Sequence, residues 1–339
     1  MSIKGGGPLL TIAIPTFDRN EILSRTVAQL LPQLRADCVV VVIDNGSQTA
    51  VDQTLDPLLA QYPDANVRII RNPVNIGANA NILRCFEVCE TPWLWILGDD
   101  DEVCDNAVSV VVQKLTEHPN CLFINFSAGL SSRAEDFETR GLAEFAVGID
   151  DYPTVLFIST GVYDCWSLRG NLRYGYQLAY SCSPHLAVLM QSIGKEGACL
   201  FAKERTVAKV ALAEESRRWS PIAYYMGCMS ILDLPAIDDS TRSIVANRVR
   251  NLVPGIHYVS RYLVECAKNP TRQKLARYQY EQICARTYFG PSLVERGYML
   301  FYSLCLRAPS IGDRIIRAIR WMLGKRSRLT LHDTLDLRI

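Results

Sequence analysis

The sequence lacks the features that would place the chain in a membrane or outside the cell. It has no run of about 18 uninterrupted apolar residues, so a membrane-spanning helix is not expected. No signal peptide is visible before the first strand-like segment. The twelve cysteines lack the paired spacing of zinc ribbons, and many lie in apolar runs, as Cys38, Cys121 and Cys199 do. They are predicted to be reduced core residues of a cytosolic protein.

The chain also has no large excess of charge of either sign, because it contains 36 basic and 35 acidic residues and its net charge is +1. Nucleic acid is therefore not expected as a partner, since binding to a phosphate backbone needs a concentrated basic surface. No GxxxxGK[ST] motif occurs, and no GxGxxG motif follows the first predicted strand. These absences argue against a P-loop hydrolase and against a dinucleotide-dependent dehydrogenase. A small molecule remains the expected partner.

What the chain does contain is a regular alternation of strand-like and helix-like segments up to about residue 127. Apolar runs such as "LLTIAIPT", "CVVVVID" and "WLWILG" predict buried strands, and segments such as "NEILSRTVAQLLPQL" have helical periodicity, with Asn20 as the expected N-cap. Strands that are apolar on both faces and separated by helices predict an α/β fold with a mostly parallel, Rossmann-like sheet flanked by helices. Residues 127–151 are predicted to be irregular, and residues after about 240 to be helical.

Polar residues follow each of the first four predicted strands. In an open α/β sheet the carboxyl ends of the strands form the ligand-binding crevice, so these residues are expected to converge. Three consecutive carboxylates after a buried strand suggest a bound cation, although a solvated acidic turn is the alternative. The residues concerned are Thr16, Asp18 and Arg19, then Asp44, Asn45, Gly46 and Ser47, then Asn72 and Asn75, and finally Asp99, Asp100 and Asp101.

Near the C-terminus, "IGDRIIRAIRWMLGKRSR" predicts an amphipathic basic helix. Its apolar side is formed by Ile311, Ile315, Ile316, Ile319, Met322 and Leu323, and its basic side by Arg314, Arg317, Arg320 and Lys325. Such a helix can lie on an anionic membrane surface. The pattern suits equally well a helix that packs on the catalytic domain and keeps its arginines in water.

Four segments together resemble the family 2 glycosyltransferases of GT-A fold, particularly bacterial enzymes that build surface polysaccharides. They are "TIAIPTFDRNEIL", "VVVIDNGSQT", "RNPVNIGANANILRC" and "WLWILGDDDEV", and they cover roughly the first 125 residues. The resemblance implies a GT-A catalytic domain over residues 1–240, with a nucleotide-sugar-binding half at 8–126 and an acceptor half at 127–240. Residues 241–339 would form a C-terminal helical extension.

The resemblance also implies roles for individual residues. Pro15 and Thr16 would line the nucleotide site, Asp44 would contact the base or ribose, and the neighbouring Asp18, Arg19 and Asn45 would belong to the same site. Asn75, Gly77 and Asn79 match the family's Asn-x-Gly turn near the base. Alignment of "LGDDD" with the family's Asp-x-Asp (DXD) motif puts Gly98 at the first acid and Asp100 on the metal. Asp99 is then expected to supply the ribose contact that Gly98 lacks.

The implied reaction is a direct displacement with inversion, in which a metal ion stabilises the leaving diphosphate. The cofactor would be Mn²⁺ or Mg²⁺, and the co-substrate a nucleotide sugar. The expected catalytic residues are Asp101 and His185, with His185 as general base because its pKa is ordinarily near neutrality. His185 could instead pack at a helix start after Pro184. Asp164, Glu214 and Glu215 are the reserves for the base.

The expected function is hexosyl-type transfer to a glycan or lipid-linked acceptor in the synthesis of lipopolysaccharide O-antigen or capsule. The enzyme is predicted to be cytoplasmic, either free or on the cytoplasmic face of the inner membrane through its basic helix. One alternative is a sugar nucleotidyltransferase, although "IPTFDRN" lacks the glycine-rich loop with a following basic residue that such enzymes carry. Another is a noncatalytic scaffold that retains nucleotide binding.

Overall fold

The structure is a computed structural model that describes residues 7–128, 133–209, 221–250, 256–287 and 293–322. The strands are β1 Leu10–Thr16, β2 Cys38–Asp44, β3 Val67–Arg71, β4 Trp93–Ile96, β5 Glu102–Val103, β6 Cys121–Ser127, β7 Phe137–Arg140, β8 Gly161–Asp164, β9 Ala198–Arg205 and β10 Val207–Lys209. The α-helices of the first 200 residues are α1 Asn20–Leu30, α2 Asp52–Leu59, α3 Ala78–Val88, α4 Ala107–Glu117, α5 Gly141–Gly148, α6 Tyr152–Leu156, α7 Cys165–Leu168, α8 Leu172–Gln177 and α9 Pro184–Ile193. The later helices are α10 Pro221–Ser230, α11 Asp239–Arg250, α12 Ile256–Ala267, α13 Pro270–Thr287, α14 Leu293–Arg307 and α15 Pro309–Met322.

Eight strands form the central sheet in the order β3-β2-β1-β4-β8-β6-β9-β7, and β5 pairs with β10 in a separate antiparallel ribbon. The neighbours β3, β2, β1 and β4 are parallel, as are β6 and β9, whereas β8 and β7 run antiparallel to their neighbours. Every residue of β2 is buried, which is what a strand covered by helices on both faces requires. The predicted mostly parallel α/β sheet is confirmed.

Strand register brings the predicted polar residues to one edge of the sheet. Thr16, the last residue of β1, pairs with Asp44 at the end of β2, and Asp44 in turn pairs with Arg71 at the end of β3. On the other side of β1, Ala13 pairs with Ile96, so the chain leaves β4 toward the same edge. The residues after β1 to β4 therefore converge as the sequence predicts.

Three local predictions differ from the structure. The N-cap of α1 is Arg19, because Asn20 is already helical and its amide donates to Thr49 O and to Thr54 Oγ1. The segment predicted to be irregular contains β7 and α5, since β7 pairs with β9 and Phe137 stacks on Phe201 at 4.8 Å. Part of the strand-like "TVLFISTGVYD" is helical, because the Asp151 side chain accepts a hydrogen bond from Thr154 N and starts α6.

The chain divides into two compact units. The first comprises Met1–Leu212 with Leu234–Ile237, and the second Ala213–Asp233 with Asp238–Ile339. The predicted division fell at residue 240, whereas the structure assigns α10 to the second unit because α10 packs on α11, α12 and α13.

The second unit is helical over its described residues, as predicted for the C-terminal region. The predicted amphipathic helix begins at Pro309 and is described as far as Met322; the predicted Leu323 and Lys325 lie outside the described residues. Its buried face carries Gly312 and Ile316, and a Cβ at Gly312 would collide with Cys305 of α14. The helix thus packs closely on its neighbour. None of the helices in the described ranges has the length and apolar character needed to cross a bilayer.

Candidate active site

A cavity of about 290 Å³ lies at the carboxyl ends of β1 and β4. Half of its lining consists of residues that the sequence singled out for the nucleotide site, namely Pro15, Thr16, Arg19, Asn45, Asp99 and Asp100. The other lining residues are Phe17, Ala78, Asn81, Ile82, Gly98 and Ile158. The cavity therefore has one wall of carboxylates and one apolar wall, a composition that suits a ligand with both charged and uncharged parts.

The acidic wall is organised around Asp99. Its Oδ2 accepts a hydrogen bond of 2.6 Å from Thr16 Oγ1, and its Oδ1 accepts one of 2.7 Å from Arg19 Nη1. The other guanidinium nitrogen of Arg19, Nη2, lies 3.1 Å from Oδ2 of Asp100. Burial raises the pKa of Asp99, while the Thr16 hydrogen bond and the Arg19 charge oppose that rise. Asp100 is the more exposed of the two carboxylates, at 28% of its side chain against 7%.

Asp101, predicted to be catalytic, is not among the described residues that line the cavity. Its side chain is buried and accepts a hydrogen bond from Ser159 Oγ, which in turn accepts one of 2.8 Å from the backbone N–H of Gly98. Burial raises the pKa of Asp101 to about 7 against the opposing hydrogen bond from Ser159. The hydrogen bonds through Ser159 join the turn after β4 to the segment before β8. The catalytic role of Asp101 stays a prediction.

An amide cluster forms the side of the site next to β2. The Asn45 amide donates to Asn75 Oδ1 at 2.8 Å, and its carbonyl oxygen accepts from Asn72 Nδ2 at 3.0 Å. Asn72 also donates to Asn81 Oδ1, so the cluster reaches α3. The N–H of Gly77 donates to Asn75 Oδ1, and Gly77 itself has a φ of +88°, which favours glycine. These bonds fix the Asn-x-Gly turn.

Two of the predicted nucleotide contacts make hydrogen bonds within the loops after β1 and β2. Asp44 is fully buried, where its Oδ1 accepts from Ser47 N at 2.8 Å and its Oδ2 lies 3.1 Å from Arg71 Nη1. Asp18 has a φ of +52°, and its carboxylate accepts from Gln48 N, which joins the loops after β1 and β2. Neither residue is among the described residues that line the cavity.

The remaining predicted residues, Asn79 and His185, lie farther along the chain in the first unit. Asn79 donates to Ser181 O, so it ties α3 to the segment before α9 and does not line the cavity. His185 is buried in the first turn of α9, with Nε2 3.0 Å from Leu156 O and its ring against Tyr163. Burial lowers the pKa of His185 to about 4. His185 is also not among the described residues that line the cavity, and its role as general base stays a prediction.

The other three candidates for the general base are Asp164, Glu214 and Glu215. Asp164 pairs with Trp93 at the start of β4, and this amino end of the strand is the sheet edge opposite the cavity. Its carboxylate caps α7 by accepting from Ser167 N. Asp164 therefore lies at the opposite edge of the sheet from the cavity and is not placed to act on a ligand bound there. Glu214 and Glu215 lie outside the described residues.

Comparison with known proteins identifies the domain that carries this cavity. Residues 11–149 match the family model of glycosyl transferase family 2. These residues form a family 2 glycosyltransferase domain. The match contains β1 to β7 and the acidic and amide walls, so the resemblance seen in the four sequence segments is confirmed.

Curated relatives of the family 2 domain come from bacteria. Abequosyltransferase RfbV of Salmonella typhimurium is 27% identical over 107 residues, which are 30% of this chain and 31% of RfbV. A GalNAc(5)-diNAcBac-PP-undecaprenol beta-1,3-glucosyltransferase of Campylobacter jejuni is 27% identical over 141 residues, 40% of this chain and 44% of the relative. The chain thus spans less than half the length of these relatives.

Solved structures show the fold over a longer stretch than the family 2 domain. S. aureus TarS 1-349 in complex with UDP-GlcNAc superposes with a TM-score of 0.65 at 15% identity, covering 94% of this chain and 93% of TarS 1-349. Its complex with UDP gives a TM-score of 0.57 at 14% identity. The predicted GT-A fold is confirmed.

Several residues that line the cavity or support its lining escaped sequence analysis. Ser159 lies 58 residues from Asp101, and Ile158 beside it enters the cavity only because the turn before β8 folds against β4. Asn81 and Ile82 lie in the first turns of α3, where "ANANILRC" gives a helical signal. The one sequence signal that indicated this part of α3 is the repetition of asparagine at positions 75, 79 and 81.

The donor set of the acidic wall fits a magnesium or manganese ion. Both oxygens of Asp99 are already engaged by Thr16 and Arg19, so Asp99 is held in place by the protein. Asp100 presents a more exposed carboxylate to the same cavity. A single carboxylate completed by water and phosphate oxygens is a usual environment for Mg²⁺. Asp100 is the side chain that would hold the ion.

The burial of His185 predicts a pH dependence of stability. Its folded pKa of about 4 lies below the ordinary 6.5, so the unfolded chain binds more protons between these values and the free energy of unfolding falls as pH falls through that window. The expected loss from His185 alone is about 2 kcal/mol between about pH 7.5 and about pH 5. Because the raised pKa of Asp101 gives a contribution of opposite sign in both proteins, urea denaturation at both pH values should show this loss as the difference between the natural chain and His185→Gln.

The same variant tests the base assignment. Gln can keep the hydrogen bond to Leu156 O, so we expect His185→Gln to fold and to retain its turnover and pH–rate profile. An equal pH dependence of stability in both proteins would contradict the burial of His185. A folded variant without turnover would support His185 as the base.

Proposed function

We propose that the chain is an inverting glycosyltransferase that moves a sugar from a nucleotide-sugar donor to a glycan or lipid-linked acceptor with the help of a divalent cation. The observation that carries this proposal is the pair of carboxylates, Asp99 and Asp100, on the wall of a cavity at the carboxyl ends of the parallel strands β1 and β4. The family 2 domain and the TarS-like fold support the same activity.

In this proposal, different residues of the site bind different parts of the donor. Thr16 and Arg19 fix Asp99 in a position suited to the ribose, and the amide cluster around Asn45 and Asn75 lies where the base would bind. Asp100 would bind Mn²⁺ or Mg²⁺. When bound, such an ion neutralises charge on the leaving diphosphate. The role of Asp44 in this scheme is to hold Arg71 and the loop after β2.

The reaction is a single displacement at the anomeric carbon. The acceptor oxygen forms a bond to that carbon while the bond to the diphosphate oxygen breaks, and the electron pair leaves with the diphosphate. The hydroxyl proton passes to a general base within hydrogen-bond reach. Because attack and departure occur on opposite faces, the anomeric configuration inverts.

The names of the relatives suggest the class of product. One relative is named as an abequosyltransferase, and another is named for an undecaprenol-linked acceptor. We therefore place the chain in the synthesis of bacterial surface polysaccharide, such as O-antigen or capsule, with a lipid-linked saccharide as acceptor.

A turnover assay distinguishes this function from its alternatives. The chain is incubated with Mn²⁺ and UDP-, dTDP-, GDP- or CDP-linked sugars, with and without a polyprenyl-linked saccharide. Release of nucleoside diphosphate with one donor, stimulated by acceptor, is the expected result. Release of pyrophosphate from a nucleoside triphosphate and sugar phosphate would instead indicate a nucleotidyltransferase, and binding without turnover would indicate a scaffold.

We propose a cytoplasmic location with peripheral attachment to an anionic membrane. All twelve cysteines are free thiols, as expected in a reducing compartment. Exposed apolar residues form a stripe on α14 and α15, and exposed arginines flank it. Such a combination is typical of helices that lie in a membrane interface. The apolar residues are Leu293, Leu300, Leu304, Ile311, Ile315, Ile319 and Met322, and the arginines are Arg296, Arg307, Arg314 and Arg317.

Vesicle flotation tests this attachment. We expect the chain to float with vesicles that contain anionic phospholipid and to lose most of this binding in the double variant Leu300→Ser/Ile311→Ser, whose side chains are 63% and 62% exposed. The matched control is Leu275→Ser, an exposed leucine on α13 outside the stripe, which should bind as the natural chain does. Equal flotation of all three proteins, or none in any, would contradict the proposed surface.

A further inference from the structure

Arg19 contacts Asp100 as well as Asp99, and the contact with Asp100 has no role in the scheme above. Arg19 is the N-cap residue of α1, so its backbone is fixed by the start of that helix. From there its guanidinium bridges the acidic pair, with Nη1 2.7 Å from Asp99 Oδ1 and Nη2 3.1 Å from Asp100 Oδ2. Arg19 also lines the cavity. A positive charge therefore already occupies the carboxylates to which a divalent cation would bind.

The two ends of this bridge are unequal. Asp99 is held from three directions, because Thr16 Oγ1 and Arg19 Nη1 donate to its carboxylate and Thr26 Oγ1 donates to its backbone carbonyl at 2.8 Å. The contact between Arg19 and Asp100 is longer, and the Asp100 carboxylate is more exposed. A longer contact at a more exposed carboxylate is the easier one to exchange, since water can replace it. We expect the Asp99 contact to persist and the Asp100 contact to open.

We propose that Arg19 is a built-in competitor for the divalent cation on Asp100. The inference rests on the proposed metal-assisted transfer. Two cations at contact distance from one carboxylate repel each other, so the ion binds more tightly when Arg19 releases Asp100. The diphosphate of a donor is anionic and gives the released guanidinium a new partner in the same cavity. Metal and donor would then promote each other's binding through one residue.

Direct metal titration tests this role without turnover. Free Mn²⁺ is followed by electron paramagnetic resonance in the absence of nucleotide, for the natural chain and for Arg19→Gln. Removal of the competing charge should tighten Mn²⁺ binding by about 2- to 5-fold, the range expected for a partly exposed ion pair. The matched control is Arg25→Gln, which removes an exposed positive charge from the same helix and should leave the affinity unchanged. Unchanged or weaker Mn²⁺ binding in Arg19→Gln would overturn the proposal.

A second measurement uses the natural chain alone, so it holds even if the variant misfolds. Nuclear magnetic resonance of the arginine Nε–Hε groups should show the Arg19 signal moving when Mg²⁺ is added, while the Arg25 signal stays in place. A static Arg19 signal at a Mg²⁺ concentration that saturates the site would also overturn the proposal.

Asp100→Asn separates this inference from the proposed function. If Asp100→Asn binds Mn²⁺ as the natural chain does, the metal site itself is misplaced and the proposed function loses its support. If Asp100→Asn weakens binding while Arg19→Gln fails to tighten it, only the role of Arg19 fails.

Discussion

Replacement of Asp100 by Asn is expected to lower the release of nucleoside diphosphate by about 10²- to 10³-fold, the usual loss when one electrostatic stabiliser of a transition state is removed. Asn keeps the size of the side chain and removes the charge that would hold the cation. Because 28% of the Asp100 side chain is exposed and Arg19 is its ion-pair partner, the fold should tolerate the change. The measurement is turnover with the donor found in the screen, at saturating Mn²⁺.

The matched control for this variant is Asp105→Asn. Asp105 is an exposed acid in the turn between β5 and α4, and it is not among the described residues that line the cavity. It should keep the turnover of the natural chain. Equal turnover in Asp100→Asn and Asp105→Asn would show that the charge of Asp100 is not used.

The second large effect is expected at Gly98, where the family motif has an acid and this chain has none. A Cβ at this position would collide with Oδ2 of Asp101 and lie 3.4 Å from Ser159 Oγ. Gly98→Ala must therefore displace a buried carboxyl group, an overpacking that typically costs about 1–3 kcal/mol of unfolding free energy. The displacement would also move Asp99 and Asp100, and a shift of about 1 Å at a reacting centre can cost about 10²-fold in rate.

The Gly98 effect has an internal test. If the collision with Asp101 is the cause, Gly98→Ala combined with Asp101→Ala should lose less stability than the sum of the two single variants, by about 0.5–3 kcal/mol. The control is Gly170→Ala, since a Cβ at that exposed glycine meets nothing within 4 Å. Urea denaturation of all five proteins completes the cycle. Additive losses, or a Gly98→Ala as stable as the natural chain, would contradict the packing described for this turn.

Periodicity and strand-end chemistry predicted most of the fold and the acidic wall. The apolar strands β1 to β4 are local signals, and parallel pairing necessarily brings Thr16, Asn45 and the acids after β4 to one edge. The sequence could not predict the contacts between segments that lie far apart along the chain. The placement of Asp101 depends on Ser159, and the burial of His185 depends on how α9 packs against Tyr163. The spacing of residues along the chain does not predict such packing.

The departure from the family motif has the same origin. Read alone, "LGDDD" suggests that an acid is missing and that its neighbours must replace it. In the folded chain the third acid occupies the space where a side chain at Gly98 would lie, so glycine and Asp101 form a matched pair. The site therefore keeps two carboxylates in the cavity and uses the third to hold the turn.

The central claim is that Asp100 binds a divalent cation that in turn holds the diphosphate of a nucleotide sugar. Its most direct test is anomalous diffraction at the manganese edge from crystals soaked with Mn²⁺ and the nucleoside diphosphate released in the turnover screen. The account predicts one strong peak about 2.1 Å from an Asp100 carboxylate oxygen and equally close to the diphosphate. A diphosphate bound in the cavity with no peak beside Asp100, or a peak on other side chains, would contradict it.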